Sequence, residues 1–377
     1  MRRHICLILA IILALTAISL ILNGASAAEG YVTLHFDTYG IGAPVESITV
    51  PKGTTIGEAM QMEGWPHPAD KDWIFVDWYL DSEINFRIDK KDIIDEEFTL
   101  FAFWLRRGEK LEATKLEGGI EYGKGVNLSW YLRTGPQRYV IHRKNGSKDV
   151  EIGTTTGLTY TDTGVRCGEQ YTYYVVGVNE DPYLESYPSN ELTVLYNPFS
   201  DIDTSKSYFK HIAWAYNNNV IKGTTDTTFE PNRECRRCDL AVMLYRMFGK
   251  PSISGMNNPF SDVKSSDYFY SAVVWASNKG YIKGLSGTNK FNPKGSITRQ
   301  DMVVILWRIA GCPVVSVSNP FNDVKKGHYA YNAIMWAYKN KITSGTSATT
   351  FAPTANCQRY QLAVFLHKFN DIEHVIS

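Results

Sequence analysis

Asn197-Pro198-Phe199-Ser200-Asp201 is written again as Asn258-Pro259-Phe260-Ser261-Asp262 and once more as Asn319-Pro320-Phe321-Asn322-Asp323. The three prolines stand 61 residues apart, and Trp214, Trp275 and Trp336 keep that step, as do Gly223, Gly284 and Gly345. Each copy goes on to Phe-x-Pro: Phe229-Glu230-Pro231, Phe291-Asn292-Pro293 and Phe351-Ala352-Pro353. An arginine stands six residues past each of those prolines, at Arg237, Arg299 and Arg359. A fixed period marks one supersecondary unit used repeatedly, whose copies bury a core only by packing together.

In the middle copy Ala272, Val273, Trp275 and Ala276 recur at helical spacing and predict one apolar helix face. Gly280 and Gly284 end that helix and let the chain turn. Phe291 returns to the core, Pro293 punctuates, and a second helix starts near Thr298 with Met302, Ile305, Leu306 and Ile309 facing inward. Thr298-Arg299-Gln300-Asp301 has the form of a capping box. The first and third copies read Arg236-Arg237-Cys238-Asp239 and Gln358-Arg359-Tyr360-Gln361, so neither is expected to form the full box.

The arginine in that first turn is out of place, because a helix N-terminus already carries partial positive charge. Two readings account for it in all three copies. An anion held between the helix end and the guanidinium fork would favour it. So would an ion pair with Asp201, Asp262 or Asp323. Both hold if the aspartate orients the arginine.

Residues 197–370 resemble the S-layer homology (SLH) family: Phe-Ser-Asp-Val opens a copy, Phe-x-Pro stands in its middle and Ile-Thr-Arg-Gln-Asp precedes its second helix. His328-Tyr329-Ala330 is similar to the family's His-Trp-Ala. The resemblance implies an all-α pseudo-threefold bundle of three SLH repeats. It also implies non-covalent binding of an anionic secondary cell-wall polymer, often through pyruvylated sugars, in grooves between repeats. By position, Asp201, Asp262 and Asp323 match the family's early aspartate, Arg237, Arg299 and Arg359 its motif arginine, and Gly223, Gly284 and Gly345 its loop glycine. The uneven motifs imply grooves of unequal affinity.

The 377 residues suggest several domains, and 44% hydrophobic with 21% charged residues is ordinary for folded protein. A formal net charge of zero argues against a strongly basic nucleic-acid binder. Arg2-Arg3-His4, the apolar run Ile5 to Leu22 and Ala25-Ser26-Ala27 have the form of a cleaved export signal, expected over residues 1–28. No second apolar span follows, so no membrane attachment is expected after cleavage. Of six cysteines, Cys167, Cys235, Cys238, Cys312 and Cys357 follow the signal. Their odd number and irregular spacing argue against a disulfide framework, and Cys235-x-x-Cys238 lacks a second ligand pair for zinc. Buried apolar roles are expected for Cys235 and Cys357, which occupy the place of Ile297.

Ahead of the repeats lie two β segments. Val32 to Phe36, Ser47 to Val50, Trp73 to Tyr79 and Thr99 to Trp104 read as strands, and Thr55 to Met62 as a short helix. Residues 29–106 resemble the internalin B-repeat (Listeria–Bacteroides repeat) family in Val-x-Leu-x-Phe-Asp, Val-Pro-x-Gly, Trp78-Tyr79 and Thr-Leu-Phe-Ala-x-Trp. Asp77 and Tyr39 stand where that family usually has glycine. The resemblance implies a β-grasp-like spacer or adhesive module. In residues 107–196, Val126 to Trp130, Tyr139 to Arg143, Val150 to Thr155, Thr159 to Asp162 and Tyr171 to Val178 read as strands, with a tight turn at Asn145-Gly146. Leu128-Ser129-Trp130 and Gly168 to Tyr173 resemble a fibronectin type III β-sandwich, with Tyr171 as its tyrosine corner.

The expected order is therefore a signal, the two β modules, and repeats over 197–257, 258–318 and 319–377. No His-Glu-x-x-His, Gly-x-Ser-x-Gly or phosphate-cradling loop occurs, and no enzymatic activity, cofactor or metal is expected. The function expected is that of an exported surface protein held to the bacterial wall by its repeats and displaying the β modules toward an unidentified partner. The alternative is a secreted adhesin whose repeats bind protein or host glycan.

Overall fold

The computed structural model describes residues 30–180 and 183–376; the expected signal lies outside them. The chain is β-rich from Tyr31 to Leu195 and helical from Phe209 to Glu373. It divides into two compact units, the first made of residues 30–118, 128–160 and 172–192, the second of 119–127, 161–171 and 193–376.

In the first unit, strands β1 (Tyr31–Asp37), β2 (Ile48–Pro51), β4 (Trp73–Tyr79) and β6 (Phe98–Arg106) form a sheet of order β2-β1-β6-β4, in which β1 and β6 run parallel. Two short strands, β3 (Thr54–Thr55) and β5 (Ile93–Ile94), pair separately, and β3 leads directly into helix α1 (Ile56–Ala59). Alternation along the sheet sends Leu34, Val50, Trp78, Leu100, Ala102 and Trp104 into one core with Ile56, Ala59 and Trp65. Helix α1 is shorter than expected, and a reciprocal capping box between Thr55 and Glu58 holds its start. The two departures from glycine have local causes. Asp77 sits at a bulge and pairs with Arg87, while Tyr39 adopts φ 53° with its N–H on the Asp37 carboxylate.

The second β segment contains β7 (Leu116–Glu121), β8 (Gly125–Trp130), β9 (Arg138–Asn145), β10 (Lys148–Thr155), β11 (Thr159–Asp162), β12 (Gln170–Glu180), β13 (Tyr183–Glu185) and β14 (Leu192–Leu195). They form a three-stranded sheet of order β11-β8-β7 and a five-stranded sheet of order β10-β9-β12-β13, with β14 also on β12. Strands β7, β13 and β14 are not among those expected from the sequence: β7 carries Gly118-Gly119, and β13 and β14 are only three and four residues long. Tyr171 makes the tie of a tyrosine corner, its hydroxyl accepting the Arg166 N–H at 3.0 Å.

The second unit carries the repeats as helices α2 (Phe209–Asn217), α3 (Arg237–Met247), α4 (Tyr270–Asn278), α5 (Arg299–Ile309), α6 (Tyr331–Lys339) and α7 (Arg359–Glu373). Each second helix packs on the first helix of the next repeat: α3 on α4, α5 on α6, and α7 back on α2. This closes the three copies into a ring. Burial in α4 is broader than one face, since every residue from Ala272 to Ala276 is buried. At the centre three strand-like segments meet. Ile297 N–H donates to the Cys235 carbonyl, Cys357 N–H to the Ile297 carbonyl, and Cys235 N–H to the Cys357 carbonyl, at 2.8–2.9 Å. The Glu234 carboxylate beside them accepts from Ser296 Oγ and Asn356 Nδ2, so one side chain ties all three copies. Cys235, Cys238 and Cys357 are buried free thiols, and Cys167 is buried in the same core as the helices. Burial pushes the Cys357 thiol up to about 12, so it packs as a neutral apolar group.

The start of the second helix is handled differently in each copy. Thr298 Oγ1 accepts from Asp301 N–H, but the Asp301 carboxylate takes the Thr298 hydroxyl rather than its N–H, so the middle copy closes only half of its expected box. In the third copy Gln361 Oε1 accepts the Gln358 N–H. In the first, Arg236 pairs with Asp239 at 2.9 Å.

Candidate functional site

The nine residues singled out in the repeats fall into two constellations. Each early aspartate caps the Phe-x-Pro turn of its own repeat. Asp201 accepts the N–H groups of Phe229 and Glu230, Asp262 those of Phe291 and Asn292, and Asp323 those of Phe351 and Ala352, all at 2.6–2.9 Å. The middle residue of each turn, Glu230, Asn292 or Ala352, has φ of 55–57°. Two successive N–H groups thereby converge on one carboxylate, a backbone anion nest whose anion the chain itself supplies. The loop glycines close the same turns. A Cβ on Gly223 would lie 2.2 Å from the Thr225 carbonyl oxygen, and one on Gly284 2.6 Å from the Phe260 ring.

Each arginine reaches into the next repeat. Arg237 Nε donates to the Phe291 carbonyl at 2.9 Å, Arg299 Nε to Phe351 at 2.9 Å and Arg359 Nε to Phe229 at 2.8 Å. Each guanidinium also lies 4.7–4.9 Å from the centre of that same phenyl ring. Among the described residues none of the three arginines forms an ion pair with Asp201, Asp262 or Asp323; those carboxylates serve the turns. The helix-end N–H groups are also engaged by the next repeat: Arg237, Arg299 and Arg359 N–H donate to the carbonyls of Gly295, Ala355 and Arg233 at 2.9 Å. The odd cation in the first turn thus sits among carbonyl oxygens, which offset the cost of placing it there.

The three seams are not equivalent. Arg237 Nη2 donates to the Lys283 carbonyl and Arg359 Nη2 to the Lys222 carbonyl, both at 2.8 Å, one residue before the loop glycine. Arg299 makes no such bond. Its Nη2 is buried with no hydrogen-bond partner among the described residues, in a residue only 4% exposed. The loop glycine at this seam, Gly345, has φ +86°, whereas Gly223 and Gly284 are outside the left-handed region. Burial pulls the Arg299 guanidinium below its ordinary range, with no carboxylate bonded to it.

Two tyrosines complete the seams: Tyr268, missed at the sequence level, and Tyr329, noted there only within His328-Tyr329-Ala330. Tyr268 of the second repeat donates its hydroxyl to Asp239 of the first, and Tyr329 of the third to Asp301 of the second at 2.6 Å. The signal was present in their 61-residue spacing and in the acidic fourth residue of the first two motifs. The third seam has Ser207 and Gln361 at those places, and rings meet there instead: Tyr208 with Tyr360 at 4.7 Å, and His211 with His367.

Comparison with known proteins finds one match within each of the three repeats. Residues 198–241, 259–303 and 320–363 each match the S-layer homology domain. The chain is 27% identical over 191 residues to an amylopullulanase of Thermoanaerobacterium thermosulfurigenes, a match covering 49% of this chain and 10% of that protein. It is 26% identical over 161 residues to cell surface glycoprotein 1 of Acetivibrio thermocellus, covering 39% of this chain and 7% of the relative. It is 30% identical over 113 residues to the surface-layer 125 kDa protein of Lysinibacillus sphaericus, covering 29% and 10%. The chain therefore spans a tenth or less of these curated relatives. Among solved structures, a Fn3-like protein from Clostridium thermocellum is 31% identical with a TM-score of 0.21, covering 23% of this chain and 92% of that one. Among the described residues no helix is long and apolar enough to cross a membrane. Three stretches of the C-terminal part of the chain therefore match S-layer homology domains, one in each repeat.

Proposed function

We propose that the three repeats form a pseudo-threefold bundle that anchors the chain non-covalently to the bacterial wall by binding an anionic secondary cell-wall polymer. On this reading residues 29–106 are a β-grasp-like module and residues 107–196 a fibronectin type III-like sandwich. Both serve as non-catalytic spacer or adhesive units on the outer side. The observation that carries the polymer reading is Arg299 Nη2, a buried cationic donor without a partner among the described residues, at the seam between the second and third repeats. A buried charged donor left unpaired is costly, and a carboxylate or ketal oxygen from a pyruvylated sugar would satisfy it. Arg237 and Arg359 have spent the equivalent donor on carbonyls of the chain, so binding is expected first at the Arg299 seam. Relatives named as surface-layer and cell-surface proteins support the anchoring role.

The test is co-sedimentation of residues 29–377 with purified wall sacculi before and after the secondary polymer is stripped. The chain is expected to pellet with intact sacculi and to stay in solution with stripped ones. Equal pelleting with both would exclude the polymer as the anchor. Retention by protein or host glycan alone would favour the adhesin reading.

A further inference from the structure

The seam that closes the ring differs from the other two in its chemistry as well as its latches. His211 on α2 of the first repeat and His367 on α7 of the third meet with their Nδ1 atoms 2.9 Å apart. At the corresponding places the other seams carry Ala272 with Tyr245 and Ala333 with Trp307, which cannot titrate near neutral pH. His211 is 8% exposed, and Trp214 lies flat on the His367 ring at 4.5 Å, so the pair sits against packed aromatic surface.

An Nδ1–Nδ1 hydrogen bond holds one proton, donated by one ring and accepted by the other. It survives while at least one imidazole is neutral, and it is lost when both are protonated, because two N–H donors then face each other at like charge. The surroundings disfavour that second proton. Lys210 on α2 and Lys368 on α7 add positive charge, and among the described residues the acidic group acting on the pair is Asp371, whose carboxylate lies 3.8 Å from His367 Nε2. We infer that this histidine pair is an acid-sensitive clasp: protonating both rings opens the ring of repeats at the seam between the third and the first, leaving the two Tyr–Asp-latched seams closed.

Burial first, and then the neighbouring charges, lower His211 to about 4; burial also lowers His367. A base whose folded-state value is depressed contributes stability in full above its ordinary value near 6.5, and that contribution is lost as pH falls through the window from 6.5 to about 4. From His211 alone, opening of the seam is expected to rise roughly 30-fold between pH 7.5 and pH 5.

The clasp goes beyond the anchoring reading and is tested without any polymer. Hydrogen exchange of residues 29–377, corrected for the intrinsic rate, is followed at pH 7.5 and 5. The expected result is loss of protection in α2 and α7 at pH 5, with α3 to α6 retaining theirs. In His211→Ala, which copies the alanine of the other seams, that pH-dependent loss should disappear. An equal loss in the variant, or a loss spread over all three seams, would overturn the proposal. Should the variant fold poorly, imidazole NMR of the unaltered chain decides: His211 remaining neutral to about pH 4 supports the clasp, and titration near 6.5 refutes it.

Discussion

Arg359→Ala is expected to cost the helical unit about 4 kcal/mol. The guanidinium makes two charge-assisted bonds, to the Phe229 and Lys222 carbonyls at 2.8 Å, each worth about 1.5–3 kcal/mol, and it lies 4.7 Å from the centre of the Phe229 ring. Its removal also leaves two carbonyls of the first repeat without their donor in a site only 4% exposed. Urea denaturation followed by helical circular dichroism checks this, as a shift of midpoint at constant slope. Arg359→Lys keeps the charge but not the planar fork, so it should recover well under half of the loss. An alanine variant with an unchanged midpoint would show that the arginine does not staple the third repeat to the first.

Asp262→Ala is expected to cost about 2–4 kcal/mol by a different route. The carboxylate accepts the N–H groups of Phe291 and Asn292 at 2.8 Å, and alanine leaves both without it. Asn292 is held at φ 56°, a conformation that needs outside support in a residue other than glycine. The turn should therefore loosen and carry Phe291, fully buried, out of the core. Asp262→Asn keeps an acceptor oxygen and should lose only about half as much. The same denaturation experiment reads both variants, and no difference between Asn and Ala would remove the nest from the explanation.

The period, the glycine turns and both helices of each copy were legible because they are local signals: apolar spacing, a proline and a cap-like residue. The arginines drew notice for a sound local reason, a cation at the positive end of a helix. Their partners were out of reach, because the bonded carbonyls belong to Phe291, Phe351 and Phe229, which lie 54, 52 and 130 residues away. The early aspartates were equally visible as repeated residues, yet only the folded turn shows them bonded to backbone rather than to arginine. His211 and His367 are 156 residues apart and break the repeat pattern instead of following it, so no periodicity marks them. The uneven motifs are visible in the seams, since Gln361 stands where Asp239 and Asp301 accept a tyrosine hydroxyl; a further difference lies at the loop glycines, where Gly345 alone of the three takes a left-handed φ.

The anchoring proposal rests on Arg299, and the sharpest measurement is calorimetric titration of solubilised secondary wall polymer into residues 29–377 carrying Arg299→Gln. Glutamine can still donate to the Phe351 carbonyl while removing the charge and the unpartnered Nη2. Affinity is expected to fall at least tenfold with the helical spectrum unchanged, whereas Arg237→Gln should bind within a few-fold of the unaltered chain. Undiminished binding by a folded Arg299→Gln chain would contradict the assignment of the site.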